Sequence, residues 1–477
     1  MQQIVEKCVR EVSPPWDRHG ALRSSPDGRK FCHADGTPFF WLGDTAWEIG
    51  TRMEFGEETT HGRGIEWYLD RRAEGGFNVI QIPLITPLTG LLGRNVRGER
   101  IISGDAFDPE KLNEAYLARF DRILDLLDER GLYAALLPTW GDVIGNGLMD
   151  AAAAQRYGEV IATRYADRPN LIWMLGGDID PAGKETVWDA LARGIRSVIR
   201  NPLMTYHPKG AQSSSAYALG DWLNFHSIQS SHSDPKNNNP GDPNFSPHID
   251  RLAHDYALHP PLPTLNTEPP YEAITIDLKH EQDVPRERPY EIRLAAYWGV
   301  LGGGAGHTFG HNNIWQAFDF DHGYEPQFGA NATWEDSVET DGARQMTLLR
   351  NLILSRPFVQ LRRCPGMILN AAALNDHKTA SSCMAARGDD YAFCYSGSGS
   401  PMEVALGMID GQTVRAWWFD PRRGSAVPIG EIANRGSRIF SPPVVPGDDN
   451  DWVLVLDGVA AAYPPPGRPI EQRRFGL

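Results

Sequence analysis

Eight short apolar runs recur along the first two thirds of the chain, and stretches with helical periodicity separate them. The runs cover residues 39–42, 77–85, 132–137, 171–175, 203–206, 223–228, 262–265 and 304–309. Continuous apolar runs of this length are typical of strands that are buried on both faces of a parallel sheet. The pattern therefore predicts eight buried, parallel strands.

Helix signals lie between these runs, most clearly from residue 108 to residue 131. Asp108 is a capping residue type, Pro109 suits the first helical position, and Gly131 suits a helix end. The apolar side chains between them recur every three or four residues, which places them on one helix face. Similar patterns predict helices at 64–74, 150–166, 184–200, 286–300 and 337–354.

The alternation of strands and helices determines the fold class that we expect. Eight βα units over roughly 330 residues predict an α/β fold, the closed (β/α)8 TIM barrel. An open, doubly wound sheet is the alternative, but it favours a glycine-rich phosphate loop after an early strand. The glycine-rich segment 302–306 instead precedes the eighth run.

The chain changes character after about residue 363. Short β-rich segments occur at 391–395, 402–407, 413–419, 437–440 and 451–456, and residues typical of turns separate them. We therefore expect an N-terminal extension at 1–20, a barrel at 21–362 and a small antiparallel β-sandwich domain at 363–477. Trp417 and Trp418 should point to opposite faces of one sandwich strand, with at least one of them in the core.

Composition and charge narrow the range of partners. The 477 residues include 46 Lys and Arg against 61 Asp and Glu, a net charge of −15, which argues against nucleic acid and polybasic membrane binding. No apolar run approaches the roughly 18 residues of a membrane span, so no membrane partner is expected. No signal peptide is visible, which predicts a cytoplasmic location, or a periplasmic or secreted one if the chain was trimmed. The sequence leaves the oligomeric state open.

Residues with reactive or sugar-binding side chains follow the predicted strands. In a barrel enzyme these positions meet at the C-terminal ends of the strands. Two carboxyls and several aromatic rings at one barrel mouth are the groups that glycosidic bond cleavage requires. One carboxyl protonates the leaving oxygen, and the other attacks the sugar or activates water. A distance of about 5–5.5 Å between the two carboxyls predicts retention of configuration at the sugar, and a distance of about 6.5–9.5 Å predicts inversion.

Asp178 is the candidate general acid/base. It follows Gly176 and Gly177, whose missing side chains allow a substrate to come close. The alternative is that Asp178 caps the next helix, although Asp180, which precedes Pro181, suits capping better.

Glu268 is the candidate nucleophile, because the two prolines that follow it hold the backbone extended and rigid. A salt bridge at the barrel rim is the alternative role. Glu272 is a competing carboxylate, for which an exposed loop charge is the expected role. Asp44 either binds a sugar hydroxyl or orients its loop together with Thr45.

The predicted substrate-binding set combines polar groups and aromatic platforms at the strand ends. Its members are Asp44, Trp47, Trp140, His207, Gln229, His232, Tyr271, His307, His311 and Trp315. Trp173 and Trp298 lie inside predicted elements and are expected in the core. Loop 86–106 is expected to shape the pocket.

The histidines at the strand ends leave a metal-dependent barrel hydrolase open as an alternative. Such enzymes hold zinc with His and Asp side chains and activate water, and the candidates here are His207, His226, His232, His307 and His311. The pair of histidines that usually opens such a site on the first strand is absent. We therefore expect no metal and no cofactor, and for His226 a packed position within its strand. A non-catalytic carbohydrate-binding barrel is the other alternative.

Several segments in this order resemble one enzyme family. They are FFWLGDTAW at 39–47, FNVIQIPL at 77–84, LLPTWGD at 136–142, NLIWMLGGDID at 170–180, NTEPPYE at 266–272 and GHTFGHNNIWQ at 306–316. Over roughly residues 20–360 the chain resembles the apiosidase-like glycoside hydrolases, glycoside hydrolase family 140. The tail, with WWFDPRRG at 417–424, is similar to the β-sandwich, labelled collagen-binding, that follows the barrel in that family.

The resemblance carries expectations about activity. It implies that an Asp after the fourth strand acts as acid/base and a Glu after the seventh as nucleophile, at positions that match Asp178 and Glu268. It also implies release of apiose from a pectin side chain that contains galacturonic acid. We expect a retaining glycoside hydrolase. Because no export signal is visible, we expect it to act on imported oligosaccharides or small plant glycosides of this type. The sandwich is expected to support the barrel.

Overall fold

The eight predicted strands are all present. The structure, a computed structural model, describes residues 13–104, 107–230, 232, 246–281, 283–371 and 383–476. The strands, which we number first to eighth barrel strand, are Trp41–Thr45, Val79–Pro83, Tyr133–Leu137, Leu171–Gly176, Met204–His207, His226–Gln229, Thr264–Glu268 and Gly306–Phe309.

These strands form a parallel ring. Six of them are hydrogen-bonded in the order eighth, first, second, third, fourth, fifth, and the sixth pairs with the seventh. Two junctions close the ring. The Asn224 N–H donates to the Met204 carbonyl (2.8 Å), and the Ala305 N–H donates to the Thr264 carbonyl (2.9 Å). The predicted (β/α)8 barrel is confirmed.

Helices surround the ring. They are Ile65–Glu74, Glu114–Glu129, Ala151–Arg164, Glu185–Val198, Leu252–Ala257, Pro289–Leu301 and Asp341–Ile353. The helix that we expected to start after Asp108 begins only at Glu114, because the Asn113 side chain accepts from the Ala115 N–H (3.0 Å) and caps it. Asp108 instead belongs to a separate turn, in which its carbonyl accepts from the Lys111 N–H. Among the described residues, no helix combines the length and the apolar character that crossing a membrane requires.

Alternate side chains of the barrel strands point into the ring or out toward the helices, as the pleat requires. Trp41, Tyr133 and Met174 pack inside the ring, whereas Ile80 and Trp173 pack against the helices. A small antiparallel sheet, Leu22–Ser24, Phe31–His33 and Pro38–Phe39, covers the N-terminal end of the ring. The C-terminal strand ends therefore form the face on which a site can open.

The C-terminal domain is an antiparallel sandwich. One sheet has the order Arg362–Arg363, Cys383–Arg387, Tyr391–Ser396, Trp452–Gly458, Thr413–Asp420, Ser425–Ala433, and a second sheet pairs Met402–Ala405 with Ser437–Phe440. Trp418 packs in the sandwich core and Trp417 on the opposite side, as predicted.

Three strands of the sandwich escaped the sequence analysis, the short Arg362–Arg363 and the longer Cys383–Arg387 and Ser425–Ala433. Ser425–Ala433 contains Pro428 and Gly430, which argue against a strand in the sheet interior. It lies at the edge of the sheet, and its pairing shifts register between Ala416 and Trp417 of the neighbouring strand. An edge position tolerates a proline because the outward backbone groups need no partner.

Buried ion pairs and apolar contacts join the two domains. Arg356, after the last barrel helix, donates two hydrogen bonds to Asp457 of the sandwich, at 2.6 and 2.7 Å, and both side chains are buried. Arg293 of helix Pro289–Leu301 pairs in the same way with Asp451. Tyr297 of the barrel stacks on Tyr395 of the sandwich, with the ring centroids 4.6 Å apart. The sandwich is thus an integral part of the structure beside the eighth βα unit.

We expect Arg356→Met to destabilise the protein by roughly 3–5 kcal/mol, because it leaves the Asp457 carboxylate buried without its partner. Urea and thermal denaturation measure the loss. The matched control is Arg415→Met, which breaks the exposed pair between Arg415 and Glu431 and should cost about 1 kcal/mol or less. Similar losses in both variants would contradict a structural role for the buried pair.

Candidate active site

The two candidate carboxylates meet at the C-terminal face of the ring. Asp178 follows the fourth strand, and Glu268 is the last residue of the seventh. One carboxylate oxygen of each and one ring nitrogen of His207 all lie within 4.8 Å of one another. Side chains from three strands that are not all adjacent in the ring therefore converge on one point.

Glycines allow Asp178 to reach this point. Gly176, Gly177 and Asp178 have φ angles of 91°, 115° and 53°, a left-handed path that side chains disfavour. A Cβ on Gly176 would lie 2.3 Å from the His207 carbonyl oxygen, and one on Gly177 would lie 2.8 Å from the Trp140 ring. The capping alternative for Asp178 is wrong, because the next helix begins at Glu185. The Asp180 carboxylate accepts from the Ala182 N–H (3.1 Å) in the turn between them.

An irregularity in the seventh strand directs Glu268 into the ring. Leu265 packs in the ring interior, so strict alternation would turn Glu268 outward. The pairing with the sixth strand shifts, however, so that Asn266 lies opposite Ile228 and Glu268 lies opposite Gln229. Thr267 is the extra residue of this β-bulge, and bulges redirect the side chains that follow them.

Glu268 is held ionised by two imidazoles. Its two oxygens lie 2.7 Å from His207 Nε2 and 2.7 Å from His232 Nε2. Burial alone would raise the pKa of Glu268, but hydrogen bonds from these imidazoles outweigh burial and hold the pKa well below its usual range. Burial alone would lower the pKa of His207, but the contact with Glu268 outweighs burial, so the pKa of His207 is raised. Both shifts therefore favour an ionised carboxylate beside a protonated imidazole.

Asp178 has the opposite electrostatic character. Its side chain is 47% exposed in the mouth of the ring. Loss of hydration and the nearby charge of Glu268 raise the pKa of Asp178 to about 7, against the opposing effect of His207. Gln229 hydrogen-bonds to this carboxyl. Two neighbouring carboxyls with pKa values shifted in opposite directions are the arrangement that separates an acid from a nucleophile.

Aromatic side chains form the wall behind the carboxylates. Trp47 packs edge-on against Trp140 at 5.1 Å and against His207 at 5.6 Å, and its indole N–H donates to the Tyr271 hydroxyl (3.1 Å). Tyr271 also packs on the His232 ring at 4.3 Å and hydrogen-bonds to Glu268. Trp315 belongs to the same apolar cluster. All these rings are buried, so they position the polar groups and present little open platform to a sugar.

The structure places three predicted substrate-binding residues elsewhere. Asp44 points outward from its strand, and its carboxylate is fully occupied by Arg72 and by the Tyr68 hydroxyl (2.6 Å). His307 shares the outward face of the eighth strand with Phe309, which packs among the helices. His311 caps the short helix Asn312–Trp315 by accepting from the Asn313 N–H (3.1 Å). Burial lowers the pKa of both histidines to about 3.

Glu272 differs from its expected role as an exposed charge. It is buried, and it accepts from the Thr340 hydroxyl (2.6 Å) and from the Gly342 N–H (3.3 Å). Glu272 therefore stabilises the N-terminus of helix Asp341–Ile353, where a negative charge is favourable. This contact fixes the far end of the loop that carries Glu268.

The sequence analysis missed Glu48, which organises the rim of the mouth. Its fully buried carboxylate accepts from the Leu88 N–H (2.7 Å) and from the hydroxyls of Thr86 and Thr89 (2.9 Å each). These donors follow the second strand, whereas Glu48 follows the first. No local signal marks a carboxylate whose partners are so distant in the sequence.

The geometry argues against the metal-dependent alternative. Asp178, His207 and Glu268 are the described residues whose ligand atoms come close enough to suggest a metal. The 2.7 Å between His207 Nε2 and Glu268 is a hydrogen-bond distance. Two ligands of a tetrahedral zinc lie about 3.3 Å apart, because each bond is about 2.0–2.1 Å long. His226 starts its strand at the opposite end of the ring and packs there, as expected.

Comparison with known proteins agrees with this arrangement. Residues 25–360 match the family described as "Apiosidase-like, catalytic domain", and residues 366–457 match "Putative collagen-binding domain of a collagenase". The chain belongs to the apiosidase-like family. It is therefore a glycosidase, and its substrate is a carbohydrate. No curated protein matches the chain.

Two solved structures resemble the enzyme over nearly its whole length. One is titled a glycoside hydrolase family 5 from Bacteroides vulgatus; it is 32% identical with a TM-score of 0.85 and covers 94% of this chain and 96% of that one. The other is titled a glycoside hydrolase, with the same identity and TM-score, and covers 94% and 99% of the two chains. Both support the arrangement of a barrel followed by a sandwich.

The raised pKa of Asp178 predicts a pH-dependent cost to stability. In the folded protein this pKa is about 7, whereas an unfolded aspartate titrates near 3.9. The unfolded state loses its proton first, so stability falls as pH rises from about 4 through 7. We expect Asp178→Asn to raise the thermal midpoint relative to the unmodified enzyme at pH 8, with a smaller gain at pH 5. An equal gain at both pH values would contradict the raised pKa.

Proposed function

We propose that the enzyme is a retaining glycosidase in which Glu268 is the nucleophile and Asp178 the general acid/base. The observation that carries the proposal is the convergence of these carboxyls within 4.8 Å, with pKa values shifted in opposite directions. This upper limit on the distance between one oxygen of each carboxyl is nearer to the spacing of about 5–5.5 Å in retaining enzymes than to the roughly 6.5–9.5 Å of inverting ones, which supports a retaining mechanism.

The first chemical step divides the work between the two groups. A Glu268 oxygen attacks the anomeric carbon, and the bond from that carbon to the leaving oxygen breaks. Asp178, which still holds its proton near neutral pH because its pKa is about 7, donates that proton to the leaving oxygen. The product of this step is a glycosyl ester on Glu268 and a free alcohol.

The second step reverses the roles. Asp178, now ionised, accepts a proton from a water molecule as that water attacks the anomeric carbon. The ester bond to Glu268 breaks, and the carboxylate is restored. Two displacements at one carbon return the original configuration.

His207, His232 and Tyr271 prepare Glu268 for attack. Their hydrogen bonds keep it ionised and fix both oxygens in the mouth of the ring. A nucleophile held by three groups loses little freedom in the transition state, which lowers the entropic part of the barrier. Gln229 hydrogen-bonds to Asp178 and helps to fix the position of its carboxyl.

The proposed substrate is a plant-derived glycoside or oligosaccharide of the pectic type, with apiose as the first sugar to test. The description of the family as apiosidase-like supports this choice. The deciding experiment is a release assay on pectic oligosaccharides and plant glycosides, in which NMR follows the configuration of the first-formed product. A first product with inverted configuration would overturn the retaining mechanism.

We expect Glu268→Gln to lower kcat by at least about 10³-fold, because the amide cannot attack the sugar. Steady-state kinetics measure the loss, and isothermal titration of the released sugar checks that the site still binds. Glu281→Gln, which alters an exposed carboxylate on the same loop, is the matched control and should keep activity within a few-fold. Turnover by Glu268→Gln close to that of the unmodified enzyme would refute the assignment.

We expect the effect of Asp178→Asn to depend on the leaving group. Glycosides of alkyl alcohols need the proton, so kcat/KM should fall roughly 10²–10⁴-fold. Dinitrophenyl glycosides leave without protonation and should be hydrolysed in the first step nearly as before. An equal loss on both substrates would argue against Asp178 as the acid.

The pH profile on alkyl glycosides gives an independent check. Activity requires the protonated form of Asp178, so kcat/KM should decline as pH rises through about 7. On dinitrophenyl glycosides, measured as release of the phenol, this decline should be weaker. A profile that stays flat to pH 9 on alkyl glycosides would exclude Asp178 as the acid in the free enzyme.

A further inference from the structure

The segment that carries the proposed acid lies against a short helix, Gly141–Gly145, which follows the third strand. The two glycines are four residues apart, so they lie on the same face of the helix. An added Cβ on Gly145 would lie 2.2 Å from Ile179 Cδ1. One on Gly141 would lie 2.3 Å from the Gly177 carbonyl oxygen and 2.4 Å from Ile179 Cγ2. The residues on either side of the acid therefore occupy the space that a side chain on either glycine would take.

The backbone conformation does not explain the glycines at these two positions. Gly141 and Gly145 both belong to an α-helix, a conformation that alanine adopts more readily than glycine. Neither residue has a positive φ angle. The close approach of the neighbouring segment is therefore the reason that a side chain would be unfavourable here.

The helix is the more firmly held side of this contact. Val143 and Ile144 are buried in the core between the ring and its helices. By contrast, Ile179 is only half-buried, and the Asp178 side chain is open to the cleft. Because a buried core resists displacement, we expect an overlap at this contact to move the segment around Asp178 before it moves the helix.

The fifth strand holds the same segment through hydrogen bonds. The Gly177 N–H donates to the His207 carbonyl (3.1 Å), and the Tyr206 hydroxyl donates to the Ile179 carbonyl (3.2 Å). The third and fifth strands are the two neighbours of the fourth, so the segment is held from both sides. Asp178 lies between these contacts with a φ of 53°. A residue with a side chain keeps such a conformation only where the surrounding structure fixes it.

We propose that Gly141 and Gly145, here called the glycine notch, position the Asp178 carboxyl for proton transfer. They do so by leaving space for the residues on either side of it. The inference rests on the proposed function of Asp178 and adds two positioning residues, which act on the reaction only through the segment that they hold. Proton transfer needs the acid within hydrogen-bond reach of the leaving oxygen, and a displacement of about 1 Å can slow a reaction about 10²-fold. Attack by Glu268 does not depend on the glycine notch.

Methyl and dinitrophenyl apiosides test the proposal, because only the methyl glycoside needs an acid to release its alcohol. We expect Gly141→Ala to lower kcat/KM at least about 10-fold for the methyl glycoside and less than about 3-fold for the dinitrophenyl glycoside. The matched control is Gly299→Ala, in the helix after the seventh strand, where an added Cβ would meet no atom of another segment within 4 Å. It should keep both values within about 2-fold. An equal loss on both substrates in Gly141→Ala would indicate general damage and overturn the positioning role.

A second pair of variants tests the contact itself. Gly145→Ala should lower kcat/KM for methyl apioside several-fold, because its Cβ would overlap Ile179 Cδ1. Adding Ile179→Val removes that methyl group and should restore the value to within about 2-fold of the unmodified enzyme. Full activity of Gly145→Ala, or a loss that Ile179→Val does not restore, would overturn the role of Gly145.

A measurement without turnover separates failure of the glycine notch from failure of the proposed function. Carbon-13 NMR of protein labelled at its aspartate carboxyls follows the pKa of Asp178, and Asp178→Asn assigns the signal. This pKa should stay near 7 in Gly299→Ala and fall toward the usual value of about 3.9 in Gly141→Ala, because the displaced carboxyl is better hydrated and farther from Glu268. Such a fall, with neither apioside hydrolysed by the unmodified enzyme, would overturn the proposed substrate and leave the glycine notch intact. An unchanged pKa in Gly141→Ala would overturn the positioning role.

Discussion

The site depends on one buried carboxylate shared by two imidazoles. Glu268 is almost fully removed from water, and it stays ionised because His207 and His232 each approach one of its oxygens at 2.7 Å. Burial, together with the same negative charge, raises the pKa of Asp178 across the cleft. The ionised Glu268 thus contributes to both protonation states that hydrolysis requires. Removal of either imidazole would change the acid as well as the nucleophile.

The backbone around the carboxylates is irregular where function requires it. Left-handed conformations at Gly176, Gly177 and Asp178 bend the chain sharply at the end of the fourth strand. A bulge at Thr267 turns Glu268 into the ring. Each departure from regular geometry costs free energy, and the surrounding barrel holds both in place. The regular strands keep the site rigid, and these two irregularities direct the carboxylates into the cleft.

The sandwich contributes to the structure at the side of the ring where the strand order closes. Its buried pairs, Arg356 with Asp457 and Arg293 with Asp451, anchor the helices on either side of the eighth strand. Glu272 links the start of one of these helices to the loop after Glu268. A continuous set of contacts therefore connects the second domain to the catalytic loop. This arrangement agrees with the supporting role that the sequence suggested.

The sequence by itself determined the eight strands, the barrel and the sandwich that follows it, because apolar runs and helical spacing are local properties of the chain. It also singled out Asp178 and Glu268, since chemistry in a barrel is confined to strand ends. Only the tertiary structure decided which strand-end residues face the cleft. Asp44 and His307 follow the same local pattern as His207, yet alternation of side chains along the strands turns them outward. The roles of Glu48 and Glu272 depended on partners far away in the chain, and a bulge directed Glu268 inward. Contacts between distant segments set these outcomes, and no local pattern of residues encodes such contacts.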